Sequence, residues 1–308
     1  MPEPINKIKK DELVPFIGIC FGLSILLSLF IGFTGGHESK YIGAGYISML
    51  IPAIAVIIMK YAFNASVSKD HNTKFSFGWV LLALLLMPVV IHTICLPLFA
   101  FLNNNSLPWQ PWLTPNKEGL YISPEDRGWG TLTFYELLVR IFINLITGLI
   151  IVSLLAFFEE IGWRAWMLPR LIKRFDVKKG VVIGALIWAI WHIPFMLSGI
   201  IYFKGVSRYL VVSLHPLGIF GAGIIISWFW LKTKSILIVS LAHGALNNWG
   251  QYAFKYMQDS PKDFSDQQVW LLVAVNGSLL ICGLIILITI KNGGLVGDVN
   301  MLIPHQSK

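Results

Sequence analysis

Apolar residues fall into eight runs along the chain, separated by short polar stretches: Leu13–Phe33, Tyr41–Phe63, Phe77–Leu102, Leu137–Leu168, Val181–Phe203, Tyr209–Leu231, Ser235–Phe254 and Val269–Ile290. At 1.5 Å rise per residue, about 20 apolar residues cross the hydrocarbon of a bilayer, so every run is long enough to span. The pattern predicts an all-α, polytopic membrane protein, a bundle of about eight transmembrane helices. The fourth run is overlong and must tilt or extend beyond the lipid. Residues 1–12 are polar and basic, and the run behind them is too long for a signal-peptide core, so it reads as a retained helix. The organisation expected is a tail over 1–12, three helices over 13–102, a loop over 103–131, a core over 132–291 and a tail over 292–308. In the loop, Pro108, Pro111, Pro115 and Pro124 resist regular structure, while Trp109, Trp112 and Trp129 suit a headgroup layer.

Composition agrees with the pattern. Of 308 residues, 56% are hydrophobic and only 13% charged, against about 25% charged in a soluble domain. The net charge of +8 is scattered between apolar runs, so topology explains it better than nucleic-acid binding. With eight spans both ends share a side, and 16 Lys and Arg lie on that side against 7 opposite, with Arg140 inside a span. The positive-inside rule therefore puts both termini and the loop 164–179 in the cytoplasm and the loop 103–131 outside. Cys20, Cys95 and Cys282 each lie in an apolar run with no metal spacing and read as small core residues.

Three polar clusters interrupt the later runs. Glu159-Glu160 sits near the end of the fourth, where an intramembrane charge costs about 2.5–3.5 kcal/mol and so marks a protein interior with a task. Glu160 and Arg164 are four apart and can neutralise each other on one helix face, leaving Glu159 without a local partner. His192 lies in the fifth run, within Trp188-Ala189-Ile190-Trp191-His192-Ile193-Pro194, and His243 and Asn247 share a face in the seventh. Counting rise from the run ends puts Glu159, His192 and His243 at one depth, roughly 12–17 Å below the cytoplasmic surface. A carboxylate in apolar surroundings suits general-base work on a water, and His192 could share the proton. His243 and Asn247 could donate to an oxyanion; alternatively Glu159, His192 and His243 form a shell for catalytic zinc. Trp163, Trp166, Trp188 and Trp191 read as packing aromatics, Pro169 and Pro194 as helix ends or kinks, and His92 and His215 as structural or cavity residues.

The three clusters resemble the signatures of the CAAX-protease and bacteriocin-processing (CPBP) intramembrane proteases, which include the Rce1-type prenyl-protein endopeptidases. Glu-Glu-x-x-x-Arg reads Glu159 to Arg164, aromatic-x-x-x-His reads Trp188 to His192, and His-x-x-x-Asn reads His243 to Asn247. They occur in the family's order on separate runs, and Leu168-Pro169-Arg170 looks like the prokaryotic branch. The resemblance implies an intramembrane protease of a prokaryotic plasma membrane. In it Glu159 and His192 activate water, His243 and Asn247 stabilise the oxyanion, and Glu160, Arg164 and Trp188 support them. It implies a peptide or protein substrate in the bilayer, prenylated or bacteriocin-type, and leaves open whether zinc takes part. The prenyl-protease form of the second signature has Phe where Trp188 stands. Two other classes compete: a proton-coupled transporter with the carboxylates and histidines as a relay, and a non-catalytic immunity or scaffold membrane protein.

Overall fold

The computed structural model describes residues 12–66, 76–105, 115–122, 130–203, 205–256 and 266–291, the side chains of 251–256 excepted. Both expected tails beyond Glu12, with Trp109, Trp112, Trp129, Pro108, Pro111 and Pro124, lie outside these residues. The long elements are α1 (Leu13–Phe33), α2 (Ile51–Ala62), α3 (Phe77–Val90), α4 (Leu96–Leu102), α5 (Phe134–Glu160), α6 (Leu168–Phe175), α7 (Val177–Trp191), α8 (Ile193–Ser198), α9 (Arg208–Thr233), α10 (Ile236–Tyr256) and α11 (Asp266–Thr289). A 3₁₀ segment, Ile42–Leu50, leads into α2, and π-helical turns Ile91–Cys95 and Ile161–Met167 join α3 to α4 and α5 to α6. In the loop, β1 (Tyr121–Ile122) pairs antiparallel with β2 (Thr131–Leu132), so its prolines leave room for one short ladder.

This is the all-α, polytopic membrane architecture expected from the apolar runs. Among the described residues seven helical stretches are long and apolar enough to cross a bilayer. The eighth, α10, carries polar residues, yet its neighbours require it to cross. Helices α9 and α11 run parallel: His215 meets Asn276, and a Cβ on Gly221 would meet Cα of Leu280 at 2.6 Å. A chain leaving one parallel helix must traverse the layer to begin the next.

Sequence explains where the helices start and bend. Thr133 and Glu136 form a capping box, Thr133 Oγ1 accepting from the Glu136 N–H and Glu136 accepting from the Thr133 N–H, so α5 starts three residues before the apolar run suggested. The fourth run is one continuous 42-residue stretch, Phe134–Phe175. The fifth is not one helix. It breaks at His192, and Pro194 occupies the first turn of α8, where its missing N–H costs nothing. Pro169 stands likewise at the start of α6 rather than ending a helix. At the far end Arg170 gathers three segments, donating to the Glu12 carboxylate (2.8 Å), Trp166 O (2.9 Å) and Ser66 O (2.6 Å).

Two close approaches position the polar layer. Gly162, in the second π turn, lies against Pro52 of α2, whose carbonyl oxygen would be 2.8 Å from an added Cβ. Gly244 of α10 lies against Ser153 of α5, whose Cα would be 2.8 Å from one. Without a side chain at either position, α5 and the π turn can seat directly on α2 and α10. Beneath them Phe16 stacks on Trp166 (4.4 Å), and Trp163 meets Trp191 edge-on (5.3 Å).

Candidate active site

The fold brings the three polar clusters into one layer. Glu159 ends α5 facing α7, and its Oε2 accepts from Trp188 Nε1 at 3.1 Å. Glu160 faces α10, and its Oε1 accepts from His243 Nδ1 at 2.7 Å and from Arg164 Nη1 at 3.0 Å. Glu160 is wholly buried, and Glu159, Arg164 and His243 are at most 3% exposed. Charges taken this far from water persist only when paired and hydrogen-bonded. The Arg164 guanidinium also lies over the Trp188 ring at 4.6 Å, a cation–π contact that desolvation strengthens.

Trp188 is the hub of this layer. Besides binding Glu159 it meets His192 and His243 edge-on, at 5.0 and 5.3 Å between ring centroids. Packing accounts for Trp163, Trp166 and Trp191; Trp188 is also a hydrogen-bond donor to a buried carboxylate, which a packing assignment does not capture. Its indole N–H, four residues before His192, was the available sequence signal.

His192, half-buried at the break between α7 and α8, has Nδ1 2.6 Å from Trp188 O. A carbonyl only accepts, so Nδ1 carries the proton and Nε2 is the open, basic nitrogen. His243 is oriented the same way by Glu160. Asn247, one turn along α10 and half-buried, makes no side-chain hydrogen bond among the described residues, while Asn248 donates to Leu145 O of α5 at 3.0 Å.

Two sequence assignments change. Arg164 is a buried member of the site, 2% exposed, rather than a cytoplasmic loop charge; removing it from the count leaves the charge asymmetry in the same direction. Glu160, assigned only to Arg164 by its spacing, is the carboxylate that binds His243, because the end of α5 turns Glu159 toward α7 instead. The zinc shell of Glu159, His192 and His243 is a different matter. Both rings present Nε2 with Nδ1 held by an acceptor, as metal-bound histidines do. Among the described residues, however, no three His, Cys, Asp or Glu side chains are grouped to hold a metal ion, and the donors as arranged do not form a cage.

Comparison with known proteins points the same way. Residues 141–249 match the family model described as type II CAAX prenyl endopeptidase Rce1-like. CAAX prenyl protease 2 of Methanococcus maripaludis is 29% identical over 114 residues, 36% of this chain and 42% of the relative. The match thus spans about two-fifths of that curated protein's length. Every residue of the three signatures lies within the matched stretch, and residues 141–249 are an Rce1-like segment, as the motifs led us to expect.

Proposed function

We propose that the protein is an intramembrane endopeptidase that hydrolyses a peptide bond of a membrane-associated substrate with a water activated by Glu159 and His192. One observation carries the reading: two adjacent carboxylates, buried at the end of a membrane-length helix, are each oriented by a donor from a different crossing. Transporter and scaffold readings call for neither the division of labour between the two carboxylates nor the two histidines presenting Nε2.

In this proposal Trp188 holds Glu159 by Oε2 and leaves Oε1 to take a proton from water. His192, its Nδ1–H fixed on Trp188 O, offers Nε2 to share that proton and return it to the leaving nitrogen. Asn247 donates its amide N–H to the oxyanion. His243 can donate from Nε2 only as an imidazolium, since Nδ1–H is already given to Glu160; the Glu160 carboxylate is the counter-ion that such a form needs. Arg164 fixes Glu160 from the other side. Zinc, if it closes on Glu159, His192 and His243, would be detected by elemental analysis of the purified protein and lost in their alanine variants.

The substrate class follows from the family. The name of the Methanococcus relative makes a prenylated peptide the first to test, and an unprenylated bacteriocin-type peptide the second. The charge asymmetry supports both termini in the cytoplasm of a prokaryotic plasma membrane, with the site opening toward that leaflet. The test is cleavage of internally quenched peptides, with and without a prenyl group, by protein reconstituted in vesicles. Turnover lost in Glu159→Gln and His192→Ala, both folded, supports the reading; full turnover in either overturns it.

A further inference from the structure

We propose that His215, oriented by Asn276, is a third imidazole of the site, a positioning residue that with His192 holds one water by both of its hydrogens; this rests on the hydrolytic reading above. His215 lies in α9 and Asn276 in α11, at an interface where glycines let the two backbones touch: an added Cβ on Gly218 would stand 2.8 Å from Cα of Asn276, and one on Gly283 would collide with Gly221. Interfaces of this kind are closed by van der Waals contact between small residues and need no polar pair. This one holds an imidazole and an amide, with Asn276 3% exposed and the absent side chain of Gly218 making their space.

The hydrogen bonds fix the chemistry of that imidazole. Asn276 Nδ2 donates to Leu272 O at 2.7 Å, which turns Oδ1 toward α9, and His215 Nδ1 lies 2.9 Å from that oxygen. An amide oxygen only accepts, so His215 carries its proton on Nδ1 and its lone pair on Nε2. Phe203 meets the ring edge-on at 5.1 Å between centroids and limits its rotation. His192 is held in the same tautomer by Trp188 O, and it lies within electrostatic reach of His215 as well as of His243 and Arg164.

Two neighbouring imidazoles that both present lone pairs cannot bond each other. A molecule with two donors satisfies both, and water is the smallest. Held by its hydrogens, the water turns its own lone pairs outward, the orientation needed to attack a carbonyl carbon. Misplacing a reactant by about an ångström costs on the order of 10²-fold in rate, so the role of His215 is read in kcat.

The experiment uses the full chain in nanodiscs with ¹⁵N-labelled histidine. The imidazole spectrum should show His215 as a single tautomer with the proton on Nδ1, mixed in Asn276→Leu, and His192 should show a water cross-peak that is lost in His215→Leu. On a quenched peptide, His215→Leu should lower kcat about 100-fold with KM unchanged, and His215→Gln, whose Oε1 again accepts, should recover part of it. The double variant His215→Leu/Asn276→Leu, with an apolar interface and an unchanged unfolding midpoint, should show the same kcat loss. A proton on Nε2, a water cross-peak surviving in His215→Leu, or a wild-type kcat in that variant overturns the proposal. Wild-type protein that cleaves no peptide sinks the hydrolytic reading instead, and the spectra still decide the water site.

Discussion

The molecule contains two π-helical turns in apolar helices, and they use their polar residues in opposite ways. In the first, Ile91–Cys95, His92 donates to Pro88 O and Thr93 to Val89 O, each at 2.7 Å and four residues back, and both side chains sit on the exposed face. In the second, Ile161–Met167, the flanking Glu160 binds His243, 83 residues away, and nothing polar is exposed. Donor chemistry explains the difference. Histidine and threonine can donate to a carbonyl of their own helix. A carboxylate only accepts, and helix-interior N–H groups are already spent, so Glu159 and Glu160 must draw donors from other helices. That requirement converts a local polar blemish into a long-range contact, and it is what assembles the site.

The sharpest way to break the comparison is kinetic. Glu159→Gln removes the proposed base, and His192→Ala the proposed proton partner; each should lower kcat/KM on a quenched peptide by about 10²–10⁴-fold. His92→Ala at the other turn should leave it within about twofold. Comparable losses at both turns would mean that the polar layer is structural throughout.

Stability should separate the turns next. Glu160→Ala leaves His243 and Arg164 buried without their acceptor, which costs about 3–5 kcal/mol. His92→Leu removes only an exposed, self-satisfied group and should stay within about 0.5 kcal/mol. Unfolding of detergent-solubilised protein by SDS titration measures both. Equal losses would show that exposure and partner distance do not rank these residues.

Much of this was legible beforehand because membrane crossing is a strong constraint on sequence. Apolar length gave all eight crossings, and rise per residue placed Glu159, His192 and His243 in one layer. What pattern could not give was which neighbour each side chain faces. The spacing of Glu160 and Arg164 correctly predicted their pair but hid His243, because contacts between α5 and α10 depend on Gly244 and Ser153 meeting at close range. The π turn escaped for a related reason: Glu-Glu-x-Gly-Trp-Arg carries no local signal for a widened turn, which arises where Gly162 is pressed on Pro52. Trp188 looked like every other buried tryptophan, and only its carboxylate partner distinguishes it. The break at His192 was half visible, since Pro194 predicted a kink without fixing where the helix stops.

Gly162 offers the next, smaller effect. A methyl group there meets the Pro52 backbone, a wall that cannot swing aside as a flexible side chain would, and overpacking of this kind costs about 1–3 kcal/mol. Gly18, inside α1 with nothing within 4 Å of an added Cβ, is the control: alanine there should stabilise by about 0.5–1 kcal/mol through helix propensity. SDS unfolding of Gly162→Ala and Gly18→Ala should therefore move in opposite directions. If both move together, the seating of the π turn on α2 is not what holds it.

The smallest effect lies where the second turn's arm ends. Asp176 joins α6 to α7 at φ 86°, ψ 172°, backbone that glycine adopts far more readily, and its Oδ1 accepts from the Lys179 N–H at 2.9 Å to cap α7. That backbone N–H, aided by the Lys179 side chain, holds the Asp176 carboxyl below its ordinary range. A depressed native value means that the stabilising contribution is complete above the ordinary aspartate value of 3.8 and disappears as pH falls through the lower native one. Asp176→Asn keeps an acceptor for the cap but nothing to titrate, so its unfolding midpoint should lose this acid dependence. Asp176→Ala loses the cap and keeps the strained backbone, whereas Asp176→Gly loses the cap and relieves the strain, so glycine should be the more stable of the two. If alanine proves the better replacement, backbone strain at this joint is unimportant, and the cap alone explains why an aspartate stands where the arm turns back.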